Sequence, residues 1–529
     1  MNTFRIKLIL VIIYLIAPLF SEGQLSKNWF NEDPDKDRFA GVSSDNAYEN
    51  LLKDMKSVPI VVAVIDGGTD VNHPDLKSKI WVNPKEVAGN GIDDDKNGYI
   101  DDIHGWSFIG GPKDDIKGEN LEMVRIFRKL DPVFKGKTKK QISKNELNDF
   151  KLYDEIKVKM EVALKDANSG LKVYSSLKKQ MDDLKQAIGK DTFTEADVLA
   201  IESEDEEFNN TKNGIAEALK NGVSYDIMYQ EVMAGYNQFY SQVNYHLNPE
   251  FSPRAIVGDN EANQNEKYYG NNNVIGPEAD HGTHVAGIIG AVRNNEIGMN
   301  GVADNVHLMI LRVVPDGDER DKDVANAIRY AVDNGAKVIN MSFGKDYSPN
   351  KNIVDEAIRY AEIKDVLLIH GAGNDASNVD SKPNYPGPYG SDKNDKVSNW
   401  IEVGAISSSG DAARFSNYGK ERVDVFAPGV QIYATTPDAT YDFHDGTSMA
   451  SPVVAGIAAM IWSYFPELNA RQVKLIITSS VLKVPFKTQL PGSRKKVKFT
   501  SLCNTGGIVN AYRAISVAKL VSVQTKQSD

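Results

Sequence analysis

The sequence predicts an α/β fold: a doubly wound, mostly parallel sheet flanked by helices, with a mainly α-helical region inserted into it. Three observations carry this. Short apolar runs at 60–65, 307–314, 337–343, 366–369 and 401–406 have the length and near-continuous hydrophobicity of strands buried on both faces. Helical stretches near 323–334 and 353–364 alternate with them, the pattern of a parallel sheet with crossover helices. From about residue 113 to 270 the composition changes, with Lys, Glu, Asp and Asn dominant and strand-like runs scarce.

The apolar runs belong to a chain of 529 residues, long for one compact domain. Its 41% hydrophobic and 25% charged content supports a packed core. A net charge of −12 argues against nucleic acid as a partner, because phosphate binding needs clustered Lys and Arg. The single cysteine, Cys503, excludes an intrachain disulfide and any two-cysteine metal or redox motif. It reads as a small packing residue.

Arg5 and Lys7 precede the apolar run 8–20, and the small residues Ser21 and Gly23 follow it. That is the order of a secretory signal peptide, with cleavage expected near Gly23. The run is shorter than the ~20 residues of a membrane span, and no later segment resembles one. The expected organisation is therefore signal peptide 1–23, an α/β domain formed by 24–112 and 271–520, helical insertion 113–270 and tail 521–529. A secreted or periplasmic bacterial protein, off the membrane after cleavage, fits a signal without disulfides.

Within the insertion, Leu171, Tyr174, Leu177, Met181, Leu184 and Ile188 recur at spacings of three or four and form one apolar helix face. Such a stripe is more often core than a cofactor box. Thr194 with Asp197 reads as a capping box opening another helix.

Three segments carry chemistry. Gly446-Thr447-Ser448-Met449-Ala450-Ser451-Pro452 precedes an apolar, small-residue run at 453–462. Pro452 fits a helix's first turn, where its missing N–H costs nothing. Ser448 then lies at a helix N-terminus, where free N–H groups and the helix dipole favour developing negative charge. A serine before a helix is most often only an N-cap, so its partners decide the matter. In Asp280-His281-Gly282-Thr283-His284, His281 is the candidate base and His284 a buried, hydrogen-bonded histidine. The two are at i and i+3 with no Glu between, unlike a zincin pair. Asp66 ends the run 60–65, where α/β folds place functional groups, and can orient an imidazole.

The order Asp…His…Ser is that of subtilisins, and the residues around Asp66, HGTHVAG from His281 and GTSMASP from Gly446 resemble the signature motifs of subtilases. The resemblance covers roughly 41–109 and 271–519, not the insertion. It implies a subtilisin-like fold and a serine endopeptidase acting on peptide or protein substrates, with no cofactor for the chemistry. It also implies that Asn374, in His370-Gly371-Ala372-Gly373-Asn374, donates to the oxyanion beside the Ser448 N–H. Ser342, Phe343 and Gly344 would form an edge that pairs with extended substrate, and Gly371, Ala372 and Gly373 would line the pocket before the scissile bond.

Two departures from the family stand out. The span from residue 24 to Asp66 is too short for both the propeptide many subtilases carry and the domain's first elements, so no propeptide is expected. The insertion between Asp66 and His281 is expected to border the cleft and restrict access. Two rival functions share the scaffold: a catalytically silent peptide-binding protein, against which the intact triad speaks, and a ligase or macrocyclase using the same acyl-enzyme.

The stretch 90–102 is acidic. Asp93, Asp95 and Asn97 before Gly98, with Asp101, resemble the start of a calcium loop. His104 stands where an EF-hand has its bidentate Glu. A structural calcium site and a solvated acidic turn both remain open readings.

Overall fold

The computed structural model describes residues 25–390 and 395–528, so the expected signal peptide lies outside the described residues. In chain order, strands β1 (Ile60–Asp66) and β2 (Gly105–Ser107) precede helices α1 (Glu122–Phe134), α2 (Leu147–Ile188), α3 (Glu195–Leu199), α4 (Glu206–Lys220) and α5 (Tyr225–Ser241). There follow α6 (Ala279–Gly290), β3 (Val306–Arg312), α7 (Asp321–Asp333), β4 (Val338–Met341), α8 (Lys351–Ile363), β5 (Leu367–Gly371), β6 (Trp400–Ile406) and β7 (Val425–Pro428). The chain ends with β8 (Ile432–Thr436), β9 (Thr440–His444), α9 (Thr447–Tyr464), α10 (Ala470–Ser479), β10 (Leu482–Lys483), β11 (Lys487–Gln489), β12 (Lys496–Lys498), β13 (Gly507–Ile508) and α11 (Ala511–Ser528). It divides into two compact units, one of residues 123–251, the other of residues 26–122 with 252 onward.

In the larger unit β8–β9 and β11–β12 form two separate antiparallel hairpins, and nine strands form the main sheet in the order β10-β13-β7-β6-β5-β4-β1-β3-β2. All neighbours pair in parallel except β10 with β13. β1 lies between β3 and β4, so the winding reverses around it, and the space beyond its C-terminal end is where doubly wound sheets bind ligands. The apolar runs are near-continuous because both faces are covered. Ala63 and Ile65 join a core with Val324, Ile328, Ile353 and Ile358 of α7 and α8. Val62 and Val64, equally buried, point to the other face, where α6 and α9 pack.

Two predicted strands run past the observed ends. β3 stops at Arg312 because the Asp66 carbonyl accepts the N–H groups of both Val313 and Val314. β4 stops at Met341, and the next residues turn toward α9. Sequence patterning does not reveal β2, whose Gly105 has φ +126° and whose backbone closely approaches the Ile310 carbonyl. Cys503 is buried against Phe426 and Phe499, and burial pushes its thiol pKa up, consistent with packing rather than reactivity.

The unit 123–251 is helical. Tyr174, Leu177, Met181, Leu184 and Ile188 of α2 pack with Ile215 and Ala216 of α4 and Tyr225, Met228 and Val232 of α5. The stripe is therefore core; Leu171 is half-buried outside that cluster. Thr194 caps α3, with its hydroxyl accepting the Asp197 N–H and the Asp197 carboxylate accepting the Thr194 N–H. Residues 113–122 and 252–270, which composition assigns to the insertion, belong to the larger unit. There Arg254 is buried in ion pairs with Asp259 and Asp323.

Candidate active site

Asp66 closes β1 and is buried, with Oδ1 accepting the Gly67 N–H at 2.7 Å. His281 is the third residue of α6, and its Nδ1 lies 2.8 Å from Asp66 Oδ1 and 3.0 Å from Oδ2. Burial pulls the imidazole pKa down, but the Asp66 carboxylate outweighs it, and the net position is above the ordinary value of 6.5. The carboxylate thus holds Nδ1 protonated and leaves Nε2 with its lone pair free in the neutral ring. Gly282 follows because a Cβ there would lie 2.1 Å from the Gly68 carbonyl.

His284 is fully buried one turn on, with Nε2 donating to the Asp442 carbonyl at 3.1 Å and Nδ1 without a partner. Its ring stacks on His444 at 4.1 Å. Burial and the neighbouring histidines hold its pKa down at about 3, so it stays neutral, as a core histidine does.

Ser448 is the second residue of α9, among the first-turn residues whose N–H groups have no helical partner. Its hydroxyl donates to the Ser342 carbonyl at 3.1 Å, not to His281. Hydrogen bonds between a nucleophile and its base often form only with substrate in place. Pro452 is not in the first turn as the sequence suggests, because α9 begins at Thr447 and makes it the sixth residue. Its missing N–H leaves the Ser448 carbonyl without that helical donor, and the Ser342 hydroxyl donates there at 2.9 Å. Ser342 Oγ in turn accepts from Asn340, and Asn340 accepts from Ser451. This buried chain ties β4 to the start of α9.

Asn374 lies three residues past β5 and is exposed. Its Oδ1 accepts both the N–H (2.9 Å) and the hydroxyl (3.0 Å) of Thr447. Because Thr447 N–H needs an acceptor, the amide cannot be flipped, and Nδ2 is left to donate elsewhere. Thr447 Oγ1 also accepts the Gly373 N–H. Asn417, buried, holds the same loop: Nδ2 donates to the Ala372 carbonyl, and Oδ1 accepts from Asp375 and Ser377. Gly373 has φ +101°, and a Cβ there would lie 2.4 Å from Asn417 Nδ2. Gly371 and Ala372 pass close beneath, with Gly371 against the Thr447 backbone.

Phe343 and Gly344 follow Ser342 off the end of β4, and the Phe343 carbonyl lies 2.7 Å from His370 Nε2. His370 is fully buried, with Nδ1 on Glu402; the carboxylate raises its pKa against the pull of burial. Sequence reasoning missed Thr447, Asn417 and this His370–Glu402 pair. Thr447 stands inside a motif read for its serine, whereas Asn417 and Glu402 have partners far away in the chain and no local pattern.

The acidic loop divides its labour. Glu86, Asp93 and Asp95 bring carboxylate oxygens within 4.8 Å of one another, and Glu86 Oε2 is buried without a hydrogen-bond partner. Asp101 does not join them; it accepts the N–H groups of Gly89, Asn90 and Gly91. Asn97 accepts from Tyr99 and donates to Asp102. Glu86, absent from the sequence motif, lies outside the regular loop spacing.

The family model described as "Subtilase family" matches residues 59–507. Subtilisin DY of Bacillus licheniformis is 39% identical over 202 residues, 38% of this chain and 69% of that protein. Thermitase of Thermoactinomyces vulgaris is 36% identical over 236 residues, 44% of this chain and 74% of that one. A thermophilic serine proteinase of a Bacillus strain is 40% identical over 185 residues, only 43% of its own length. Among solved structures, a protease from Pseudoalteromonas arctica aligns at 30% identity over 45% of this chain and 70% of its own, with a TM-score of 0.38.

Proposed function

Because the chain belongs to the subtilase family, as a subtilisin-like serine endopeptidase, we propose that its chemistry runs through Ser448, His281 and Asp66 and an acyl-enzyme. The observation that carries this reading is the Asp66–His281 contact of 2.8 Å at the C-terminal end of β1, with α6, which bears His281, packed on α9, which bears Ser448. Ser448 Oγ attacks the substrate carbonyl as His281 Nε2 takes its proton. Asp66 keeps the other ring nitrogen protonated and stabilises the imidazolium. Asn374 Nδ2 and the Ser448 N–H receive the oxyanion. His281 then protonates the leaving amine, and water releases the acyl group.

Substrate lies along Ser342–Gly344 on one side and Gly371–Gly373 on the other. Purified protein and its Ser448→Ala variant, incubated with casein and a peptide library, test the assignment. Ser448-dependent cleavage masses support hydrolysis, ligated masses redirect the reading to acyl transfer, and products that persist in Ser448→Ala remove it.

Export rests on the charge and hydropathy order of residues 1–23. No helix among the described residues is long and apolar enough to cross a membrane. A structural calcium ion would be held by Glu86, Asp93 and Asp95, whose converging oxygens and unpartnered Glu86 Oε2 suit a hard cation. Chelator is expected to lower the melting temperature of the native chain and to have no effect on Asp93→Ala/Asp95→Ala.

A further inference from the structure

The antiparallel hairpin β11–β12 concentrates positive charge in a chain whose net charge is −12. Its register pairs Lys487 with Lys498, Thr488 with Val497 and Gln489 with Lys496. The alternation of a strand sets Thr488 and Val497 inward, where Val497 packs on the cluster containing Ala372 and Phe426. Lys487, Lys496 and Lys498 are left on the solvent side, and Arg494 and Lys495 extend the patch through the turn. All five are exposed, and none makes an ion pair among the described residues. Like charges directly opposite on paired strands, as at Lys487 and Lys498, destabilise a sheet.

The hairpin is anchored beside the candidate active site. The Gly492 N–H donates to the Arg414 carbonyl, and a Cβ on Gly492 would lie 2.9 Å from Ala376 Cβ, two residues beyond Asn374. Arg414, also exposed, adds a sixth cation. The acidic groups nearby are Asp375 on the same loop and Asp411, whose Oδ1 accepts the Thr488 hydroxyl.

We propose that hairpin β11–β12 is an exosite that draws acidic segments of polypeptide substrates to the cleft. The inference rests on the proteolytic reading and names its substrate class. Exposed charges of one sign beside a cleft raise encounter rates with opposite charge and act over about 8 Å at physiological salt.

The test uses the full chain, its Arg494→Glu/Lys495→Glu/Lys496→Glu variant, and three peptides with one cleavable core: unextended, with a Glu tract on the N-terminal side, and with the tract on the C-terminal side. An acidic extension on one side is expected to raise kcat/KM about tenfold in the native chain. The gain should vanish in the variant and near 1 M salt, with the unextended peptide cleaved equally by both proteins. Binding of the fluorescent peptides to Ser448→Ala, with and without the charge reversal, reads the exosite independently of turnover. If the protein cleaves nothing but still binds the acidic peptide through the hairpin, the proteolytic reading fails and with it the delivery to a cleft, while recognition of acidic peptide by the hairpin stands. Equal rates and equal binding for all three peptides overturn the exosite. So does hairpin-dependent binding to phosphatidylglycerol vesicles without peptide selectivity, which would assign the patch to a membrane surface.

Discussion

At the scale of single residues, the Asp66–His281 pair sets the expected pH dependence. Only neutral His281 can act as base, and its pKa lies above 6.5, so kcat/KM should rise through an acid limb centred above that value. Asp66→Asn should move the limb down, since the charge that raises the imidazole is gone. It should also cost on the order of 10⁴ in kcat through loss of the correct tautomer. A pH–rate profile of both proteins checks each part. Asn374→Ala should lower kcat by ~10²–10³, the range reported for removing such a donor in a subtilisin, with KM little changed and the fold intact. The candidate catalytic letters were legible in the sequence because each sits in a short motif with its own local logic. Thr447 and Asn417, which aim Asn374, were not. Their bonds cross 73 and 45 residues of chain, and hydrogen-bond partners at that distance leave no local trace.

At the scale of elements, α9 shows where local rules meet tertiary bonds. A proline at the sixth helical position would ordinarily leave an unsatisfied carbonyl, but Ser342 supplies the missing donor. Ser342→Ala should therefore cost about 1–3 kcal/mol of stability, the price of a buried unpaired carbonyl. In a Pro452→Ala background, where the helix provides its own N–H, the same change should cost less. Denaturant titrations of the four proteins measure the difference. The helical unit offers a second case. Gly-to-Ala in a helix normally gains up to about 1 kcal/mol. At Gly235 a Cβ would lie 2.2 Å from the Tyr174 ring, so Gly235→Ala is expected to destabilise.

At the scale of the whole molecule, the two units carry different reporters. The tryptophans at 29, 81, 106, 400 and 462 all lie outside 123–251, whereas α2 and α5 dominate the helix there. Gly235→Ala should thus lower the far-UV circular dichroism transition while leaving the tryptophan fluorescence transition in place. Coincident shifts in both would mean the units unfold as one.

The sequence by itself determined the α/β class, the five central strands, and the helical character and apolar stripe of the stretch within 123–251. Those features follow from hydrophobic period and length, which each segment carries within itself. Only the tertiary structure decided where β3 and β4 end, that Pro452 lies deep in α9, that Glu86 rather than Asp101 meets Asp93 and Asp95, and that a basic hairpin abuts the Asn374 loop. Each of these depends on atoms brought together from distant parts of the chain. Such contacts are set by how the elements pack, and no single stretch of sequence contains them.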